Sequence, residues 1–390
     1  MDHISFSNEE LARYSRHILI PEFQLAAQKC LKAASVLVIG SGGLGSPMLQ
    51  YLAAAGVGKI GIVDFDRVED SNLQRQVLFG TSSIGELKAE EARKRLLDLN
   101  PFIEVAAINE MLTSENAMRL LADYDVVADG SDNFPTRYLV NDACVLLDKP
   151  YVYASIFQFE GQVSVFNYRN QAGETGPNYR DLFPTPPPPG MVPSCAEGGV
   201  LGVLPGIIGS VQALEVIKVI TGVGEPLSGR LFLFDALQFF SRVLSIPKDP
   251  DNPINGISPT QTGLIDYEQF CGVPTDKDLE EQAADVKEID VLELVKWQKE
   301  GKFFQLIDVR EPYEYEIVNI GGELIPQALK AEMVEKIARD IPVVFHCRSG
   351  KRSANVVRAL ESEQGFKHLY NLKGGILAYI EEIDSSLPKY

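Results

Sequence analysis

The chain has 390 residues, of which 45% are apolar and 23% charged, an ordinary composition for a globular protein of two or three domains. Asp and Glu outnumber Lys and Arg 54 to 36, leaving a net charge of −18. So acidic a chain argues against non-specific binding to nucleic acid or to an anionic membrane, and any positive charge that meets a phosphate must be placed locally.

The first residues, MDHISFSNEELARYSRH, contain no apolar core of the kind a secretory signal needs. Residues 9–33 read as one amphipathic helix. Ser35 to Gly40 is a short apolar run ending in glycine, the pattern of a buried parallel strand. A helix follows from Leu44 to Ala55, then a strand from Lys59 to Asp64. Lys88–Leu99 reads as helix, stopped by Asn100-Pro101. Glu104–Ile108 and Asp125–Asp129 are further strands, separated by a helix at Ala117–Leu121. Arg137–Leu147 is helix and Tyr151–Ala154 a fifth strand. Strands alternating with helices at this spacing predict an α/β fold with a Rossmann-like, doubly wound sheet.

The pattern then changes. Gln162–Phe166 and Leu231–Phe234 read as an antiparallel extension of the sheet, with a helix at Ile207–Thr221 between them. Pro186 to Pro189 are four consecutive prolines and exclude helix there. Residues 246–282, rich in Pro, Asn, Gly and Asp, read as a linker between a first domain, 1–245, and a second, 283–390. The second is a small α/β unit, with buried strands at Phe303–Asp308 and Ile341–His346 and helices at Ala354–Glu361 and Ile376–Ile383. No apolar run reaches the roughly 18 residues of a membrane span, so no membrane helix is expected. Five scattered cysteines, Cys30, Cys144, Cys195, Cys271 and Cys347, make no disulfide framework and no C-x-x-C pair. The expected setting is reduced and cytoplasmic.

Gly40, Gly42, Gly43 and Gly45 form G-x-G-x-x-G between a strand and a helix. Glycines there allow a tight turn and close backbone approach, and the helix N-terminus offers free N–H groups to phosphate. Asp64 ends the next strand, where an acid bonds a ribose hydroxyl. The glycine motif alone does not choose between NAD, FAD and ATP. The neighbouring charges favour a triphosphate: Arg75 and Lys88 suit phosphate oxygens, and Asp132 suits Mg²⁺. Arg13-Tyr-Ser-Arg16 adds two more basic residues.

These motifs, with Ser71-Asn72-Leu73-Gln74-Arg75-Gln76, Asp132-Asn133 and Cys195-Ala-Glu-Gly-Gly199, make residues 10–245 resemble the MoeB/ThiF adenylyltransferases, relatives of the ubiquitin-activating enzymes. The resemblance implies ATP contacts at Gly43, Asp64, Ser71 to Arg75, Lys88, Asp132 and Asn133. It implies a homodimer in which Arg16 reaches the ATP of the other subunit. The implied reaction is adenylation of the C-terminal glycine of a small ubiquitin-fold sulfur-carrier protein ending in Gly-Gly. Many relatives bind structural zinc through two C-x-x-C pairs. The matching stretches here are Asn178-Tyr-Arg-Asp181 and Asn252-Pro-Ile-Asn255, so no zinc is expected and something else must tie down residues 175–182.

Val343 to Ser353 reads as strand, loop and helix around Cys347. The loop N–H groups, the helix N-terminus and Arg348, Lys351 and Arg352 would all favour a thiolate nucleophile. Cysteine phosphatases place the arginine after five intervening residues. Here that position is Ser353, and the loop Cys347-Arg348-Ser349-Gly350-Lys351-Arg352 is one shorter. With Asp308-Val-Arg310-Glu311-Pro-Tyr-Glu314-Tyr-Glu316 and Asn371-Leu-Lys-Gly-Gly375, it makes residues 285–390 resemble rhodaneses. The resemblance implies that Cys347 carries a persulfide, while Asp308 and Arg310 are read as structural.

An acyl-adenylate and a persulfide together convert a carboxylate to a thiocarboxylate. The fusion resembles MoeZ-type proteins and the eukaryotic activators of molybdenum-cofactor biosynthesis and tRNA thiolation. That resemblance implies a resolving role for Cys195, a cysteine desulfurase or thiosulfate as sulfur donor, and no direct contact with nucleic acid. It leaves the pathway open among molybdopterin, thiamin, tRNA thiolation and cysteine synthesis. Three other readings of the residues are a nicotinamide oxidoreductase, a thioester-forming activating enzyme, either with an accessory rhodanese domain, and a non-catalytic scaffold, which would have no need of Arg16, Lys88 and Cys347.

Overall fold

A computed structural model describes residues 4–188, 191, 199–273 and 286–390. The chain divides into two compact units, 1–273 and 274–390.

The first unit opens with α1 (Asn8–Ile18) and α2 (Gln24–Ala33), two helices where the periodicity predicts one. Pro21 lies between them and Gln24 has φ 53°, so the chain turns where a proline cannot continue a helix. A capping box between Ser7 and Glu10 starts α1. There follow β1 (Ser35–Ile39), α3 (Gly45–Ala55), β2 (Lys59–Val63), α4 (Lys88–Leu99), β3 (Glu104–Ile108), α5 (Ala117–Ala122), β4 (Val126–Asp129), α6 (Phe134–Leu146), β5 (Tyr151–Phe157) and β6 (Glu160–Phe166). After these come α7 (Tyr179–Leu182), α8 (Val203–Thr221), β7 (Arg230–Asp235), β8 (Phe240–Ser245) and α9 (Tyr267–Phe270).

One eight-stranded sheet runs β3-β2-β1-β4-β5-β6-β7-β8, parallel through β5 and antiparallel beyond. The order reverses at β1, between β2 and β4. In an open α/β sheet the crevice beyond the carboxyl ends of these strands is where ligands bind. Valines and isoleucines of β1 and β2 are buried on both faces. Helix α8 is apolar and long enough to pass for a membrane span. It lies instead as a core helix, with Leu204, Ile208, Ala213 and Val216 buried in the unit's main apolar cluster. Its Gln212 Nε2 donates to the carbonyls of Asp129 and Val152.

Of the expected linker 246–282, residues 274–282 lie outside the described residues, and 246–273 do not form a linker. They pack on the first unit, with Ile246, Asn252, Ile254 and Tyr267 buried. Asp142 of α6 is the anchor. It pairs with Arg180 through two 2.8 Å hydrogen bonds and also accepts from Gln261 Nε2 and Tyr267 Oη, each at 2.7 Å. The segment's loop-like composition is correct, but its position is held by side chains rather than by regular structure.

The stretches aligned with zinc-binding pairs are joined by hydrogen bonds. Asn178 Nδ2 donates to Asn255 Oδ1 at 2.8 Å, and Asn252 Nδ2 donates to Asp181 Oδ1 at 2.8 Å and to Asn178 Oδ1 at 3.3 Å. Zinc takes sulfur, imidazole or carboxylate donors, and this cluster offers three amides and a single carboxylate. The network ties down residues 178–181.

The second unit contains β9 (Glu288–Ile289), α10 (Val291–Lys299), β10 (Gln305–Asp308), α11 (Pro312–Ile317), β11 (Glu323–Leu324), α12 (Lys330–Lys336), β12 (Val343–His346), α13 (Lys351–Gln364), β13 (Leu369–Leu372) and α14 (Gly375–Glu382). Its five strands form a parallel sheet in the order β11-β10-β12-β13-β9. Central β12 is buried along its whole length and ends at Cys347.

Candidate active sites

The glycine loop joins β1 to α3. A Cβ on Gly45 would stand 2.1 Å from the carbonyl oxygen of Gly40, so only glycine permits this turn. Helix α3 starts at Leu44 without a side-chain cap, which leaves backbone N–H groups for a ligand. Asp64 stands beside the loop. Its Oδ2 accepts from the amide and hydroxyl of Ser41 at 2.8 and 2.7 Å, and its Oδ1 from the amide of Asp66 at 3.0 Å. Oδ2 is thereby filled, and Oδ1 keeps capacity for a further donor.

A cleft of about 960 Å³ opens there, lined by Gly40, Asp64, Ser131, Asp132 and Asn133. Its far wall includes Leu264 to Glu268, from the segment read as linker. The volume suits a nucleotide-sized ligand. Asn133 caps α6 by accepting from Thr136 N at 2.9 Å, so its oxygen is engaged and its amide NH₂ is the remaining group.

The basic residues stand on the other side of the loop. A Cβ on Gly43 would meet Arg75 Cδ at 3.7 Å, which places Arg75 over the turn. Arg75 Nη1 donates to Ser71 O at 3.2 Å. Ser71 and Asn72 lie on a single 3₁₀ turn, where Asn72 Oδ1 accepts from Glu69 N at 3.2 Å. Leu73 packs against the core, and Gln74 meets Gly202, just after the undescribed 192–198. Lys88 is buried at the start of α4 and pairs with Asp66 at 3.0 Å. Asp66 is half exposed, so the lysine charge reaches the surface through it. Arg16 is exposed on α1 and does not line the cleft. Arg13 is committed within its own chain, donating to Leu99 O and lying over Phe102.

Sequence reasoning missed a polar group under the cleft. Burial pushes the Asp129 carboxyl up, while Ser131 N–H and Tyr151 Oη bond it at 2.7 and 2.6 Å. Arg137 is buried nearby over the rings of Phe134 and Tyr153, and its Nε has no partner among the described residues. Only the run Asp129-Gly-Ser-Asp-Asn hinted at this group.

In the second unit Cys347 is 1% exposed, and Gly350 N–H donates to its Sγ at 3.2 Å. Gly350, at φ 90°, starts α13. Ser353 Oγ lies 3.5 Å from the sulfur and 2.6 Å from Asn371 Oδ1, while Asn371 Nδ2 donates to Glu288. The loop rests on the start of α14, where Ile376 N donates to Cys347 O at 2.9 Å. A Cβ on Gly375 would stand 2.4 Å from that same oxygen, which explains the glycine pair after Asn371.

The loop's cations are held by partners. Arg352 makes two hydrogen bonds to Glu314, at 2.7 and 2.6 Å. Burial works against the Glu314 charge, but Arg352 and the Glu311 N–H outweigh it and hold the carboxyl below its usual range. Arg348 Nε donates to the backbone oxygen of Tyr390 at 2.8 Å. Lys351 and Ser349 are exposed. Asp308 and Arg310 form a fully buried ion pair behind the loop, a structural placement. Glu314 and Ser353 lie in the motifs read from sequence without a role given to them, and Tyr390 is an addition to the residues expected here.

Burial pushes the Cys144 thiol well up and that of Cys271 up to about 11, so both stay protonated. Cys195 lies outside the described residues.

A glycine turn on one sheet and a cysteine in an N–H nest on another have the build of a two-site group-transfer enzyme. The chain belongs to the ThiF family, which it matches over residues 14–254, and it matches the rhodanese-like domain over 290–382. It is 50% identical over 389 residues to the probable adenylyltransferase/sulfurtransferase MoeZ of Mycobacterium tuberculosis, covering 99% of this chain and 97% of that protein. It is 56% identical over 268 residues to the sulfur carrier protein adenylyltransferase of Thermus thermophilus, covering 69% and 99%. The crystal structure of E. coli MccB shares the fold, with a TM-score of 0.56, 23% identity and coverage of 67% of this chain and 76% of that one. The chain is an adenylyltransferase and sulfurtransferase with a Rossmann-like unit and a rhodanese unit.

Proposed function

We propose that the first unit uses ATP to adenylate the C-terminal glycine of a ubiquitin-fold sulfur-carrier protein, and that the second supplies the sulfur that turns it into a thiocarboxylate. The observation that carries this is the presence, in one chain, of the glycine turn flanked by Arg75 and the Lys88–Asp66 pair, and of Cys347 in its N–H nest.

The carrier carboxylate attacks the α-phosphorus, and the bond to the bridging oxygen of pyrophosphate breaks. Several negative charges then crowd one site. The α3 N-terminus, Arg75 and Lys88 stabilise them, with Arg16 contributed by the partner subunit of a homodimer. Asp64 and Asn133 hold the nucleoside. Mg²⁺ would arrive with ATP, Asp132 in the cleft wall would hold it, and the metal would neutralise phosphate charge. Gly40, Gly42, Gly43 and Gly45 give the phosphates room, and Ser71 to Gln74 shape the wall behind Arg75.

Cys347 takes sulfane sulfur from a cysteine desulfurase or from thiosulfate. Its terminal sulfur attacks the acyl carbon, the carbon–oxygen bond breaks, and AMP leaves. Cys195 then attacks the Cys347 sulfur of the acyl disulfide. Thiocarboxylate departs with the electron pair, and a Cys195–Cys347 disulfide remains for a thiol reductant. Neither nucleic acid nor membrane takes part, in keeping with a cytoplasmic setting and the net charge of −18.

The test is ATP–pyrophosphate exchange with a carrier ending in Gly-Gly. Exchange should need the terminal Gly-Gly, and mass spectrometry should show AMP on the carrier, then sulfur in its place. Exchange with a truncated carrier would overturn the reading. A Cys195–Cys347 disulfide should accumulate when reductant is withheld. Full turnover by Cys195→Ala would remove that cysteine from the scheme.

A further inference from the structure

We propose that Tyr390 is a positioning residue of the sulfur-transfer site, holding the two arginines beside Cys347 ready for an anionic sulfur donor. This rests on the reading of Cys347 as the sulfur carrier.

Three hydrogen bonds and two ring contacts converge on Tyr390. Its Oη accepts a hydrogen bond from Arg310 Nη1 and donates to Glu314 Oε1 at 3.2 Å. Its backbone oxygen accepts from Arg348 Nε at 2.8 Å. Its ring lies under both guanidinium groups, 5.5 Å from that of Arg348 and 5.8 Å from that of Arg310.

The direction of each bond matters. Arg310 is fixed by Asp308 and by the carbonyl of Val318, so the phenol accepts from an immobile cation. It then has one proton to give, and gives it to Glu314. Glu314 in turn grips Arg352 with both oxygens. Tyr390 thus reaches Arg352 through Glu314 and Arg348 directly.

What this leaves free is the useful part. Arg348 is held by its Nε edge and by ring stacking, and its Nη atoms have no partner among the described residues. An arginine fork fixed on one side is prepared to meet an oxyanion on the other. Fixing a long side chain in advance spares the ordering cost at binding.

Thiosulfate is the probe. Cys347 thiolate attacks its sulfane sulfur, the S–S bond of thiosulfate breaks, and sulfite leaves with the electron pair. Cyanide then takes the sulfur from the persulfide as thiocyanate, regenerating the thiolate. Both the donor and the leaving sulfite are anions that Arg348 and Arg352 would hold.

The experiment measures thiosulfate:cyanide sulfur transfer by the full chain carrying Tyr390→Phe or Tyr390→Ala. Tyr390→Ala should raise the KM for thiosulfate about tenfold, ~1.4 kcal/mol, with kcat within about twofold. Tyr390→Phe keeps the ring and backbone oxygen and should raise KM about threefold. ATP–pyrophosphate exchange should not change in either. A merely structural role would lower kcat, as active protein is lost, without moving KM. Unchanged KM in both variants overturns the proposal, and so does a fall in kcat alone. If Tyr390→Ala does not fold, the Tyr390→Phe result decides. Cys347→Ala separates the two readings: sulfur transfer surviving in it would refute the site itself and not the role of Tyr390.

Discussion

The glycine turn after β1 and the cysteine loop after β12 are built alike and used differently. Each joins the end of a buried parallel strand to a helix N-terminus and needs glycine where backbone meets backbone, Gly45 on Gly40 and Gly375 on Cys347. In the first the loop itself is empty of charge, and the cations stand on other elements, at Arg75 and Lys88. In the second Cys347 and the neighbouring cations share six residues, and distant residues, Glu314 and Tyr390, hold the cations in place. On the proposed function the first loop has to leave room for a substrate's phosphate, while the second has to supply the reacting atom.

If the two loops are separate sites, their chemistries should come apart. Cys347→Ala should abolish thiosulfate:cyanide sulfur transfer and leave ATP–pyrophosphate exchange intact. Lys88→Ala should do the reverse, cutting exchange by about 10²–10³-fold, the usual cost of removing one group that stabilises transition-state charge. Loss of both activities in either variant would break the comparison.

Both loops are legible from sequence because their chemistry lies within a few neighbouring residues. What holds them is not. The segment at 246–273 has the composition of a linker, but Gln261 and Tyr267 bond Asp142, more than a hundred residues earlier, and no local pattern shows such a bond. The grip of Glu314 on Arg352 spans 38 positions. Strand β8 went unread because its exposed Phe240, Val243 and Leu244 do not alternate with buried residues. The break between α1 and α2 was within reach, since Pro21 marks it.

The largest expected effect on stability falls in the first unit. Asp142→Ala strands Arg180 as a buried, unpaired charge and should cost about 3–5 kcal/mol. The only tryptophan of the chain, Trp297, reports on the second unit. Its urea transition should stay where it is, while the main loss of circular dichroism moves to lower urea. A matching shift of the Trp297 transition would show that the units do not unfold separately.

The second unit has its own weakness, in acid. His346 is fully buried beside Asp308, and burial, against the attraction of that carboxylate, lowers its pKa from 6.5 to about 4. Between those values the unfolded chain binds a proton that the folded one does not. Stability therefore rises with pH across this window and is lost as pH falls through it, by roughly 3 kcal/mol in all. Urea unfolding followed by Trp297 should show the slope, and His346→Phe should flatten it. A slope unchanged in that variant would assign the acid sensitivity to other groups.

The smallest effect tests how a structure is held without metal-type donors. Asn252→Ala removes donors to both Asn178 and Asp181. Neighbouring bonds remain, Asn178 to Asn255 and Asp249 N to Asp181, so the loss should be about 1–2 kcal/mol rather than collapse. Because this cluster anchors the segment that leads on to Leu264–Glu268, the wall of the cleft beside the glycine turn should loosen as well. The expected sign is a rise of a few-fold in the KM for ATP in the exchange assay, with the rhodanese reaction unaffected. A large destabilisation would mean the hydrogen bonds act as one cooperative unit, as a metal knot does. Unchanged stability with a raised KM would mean that they serve the cleft and not the fold.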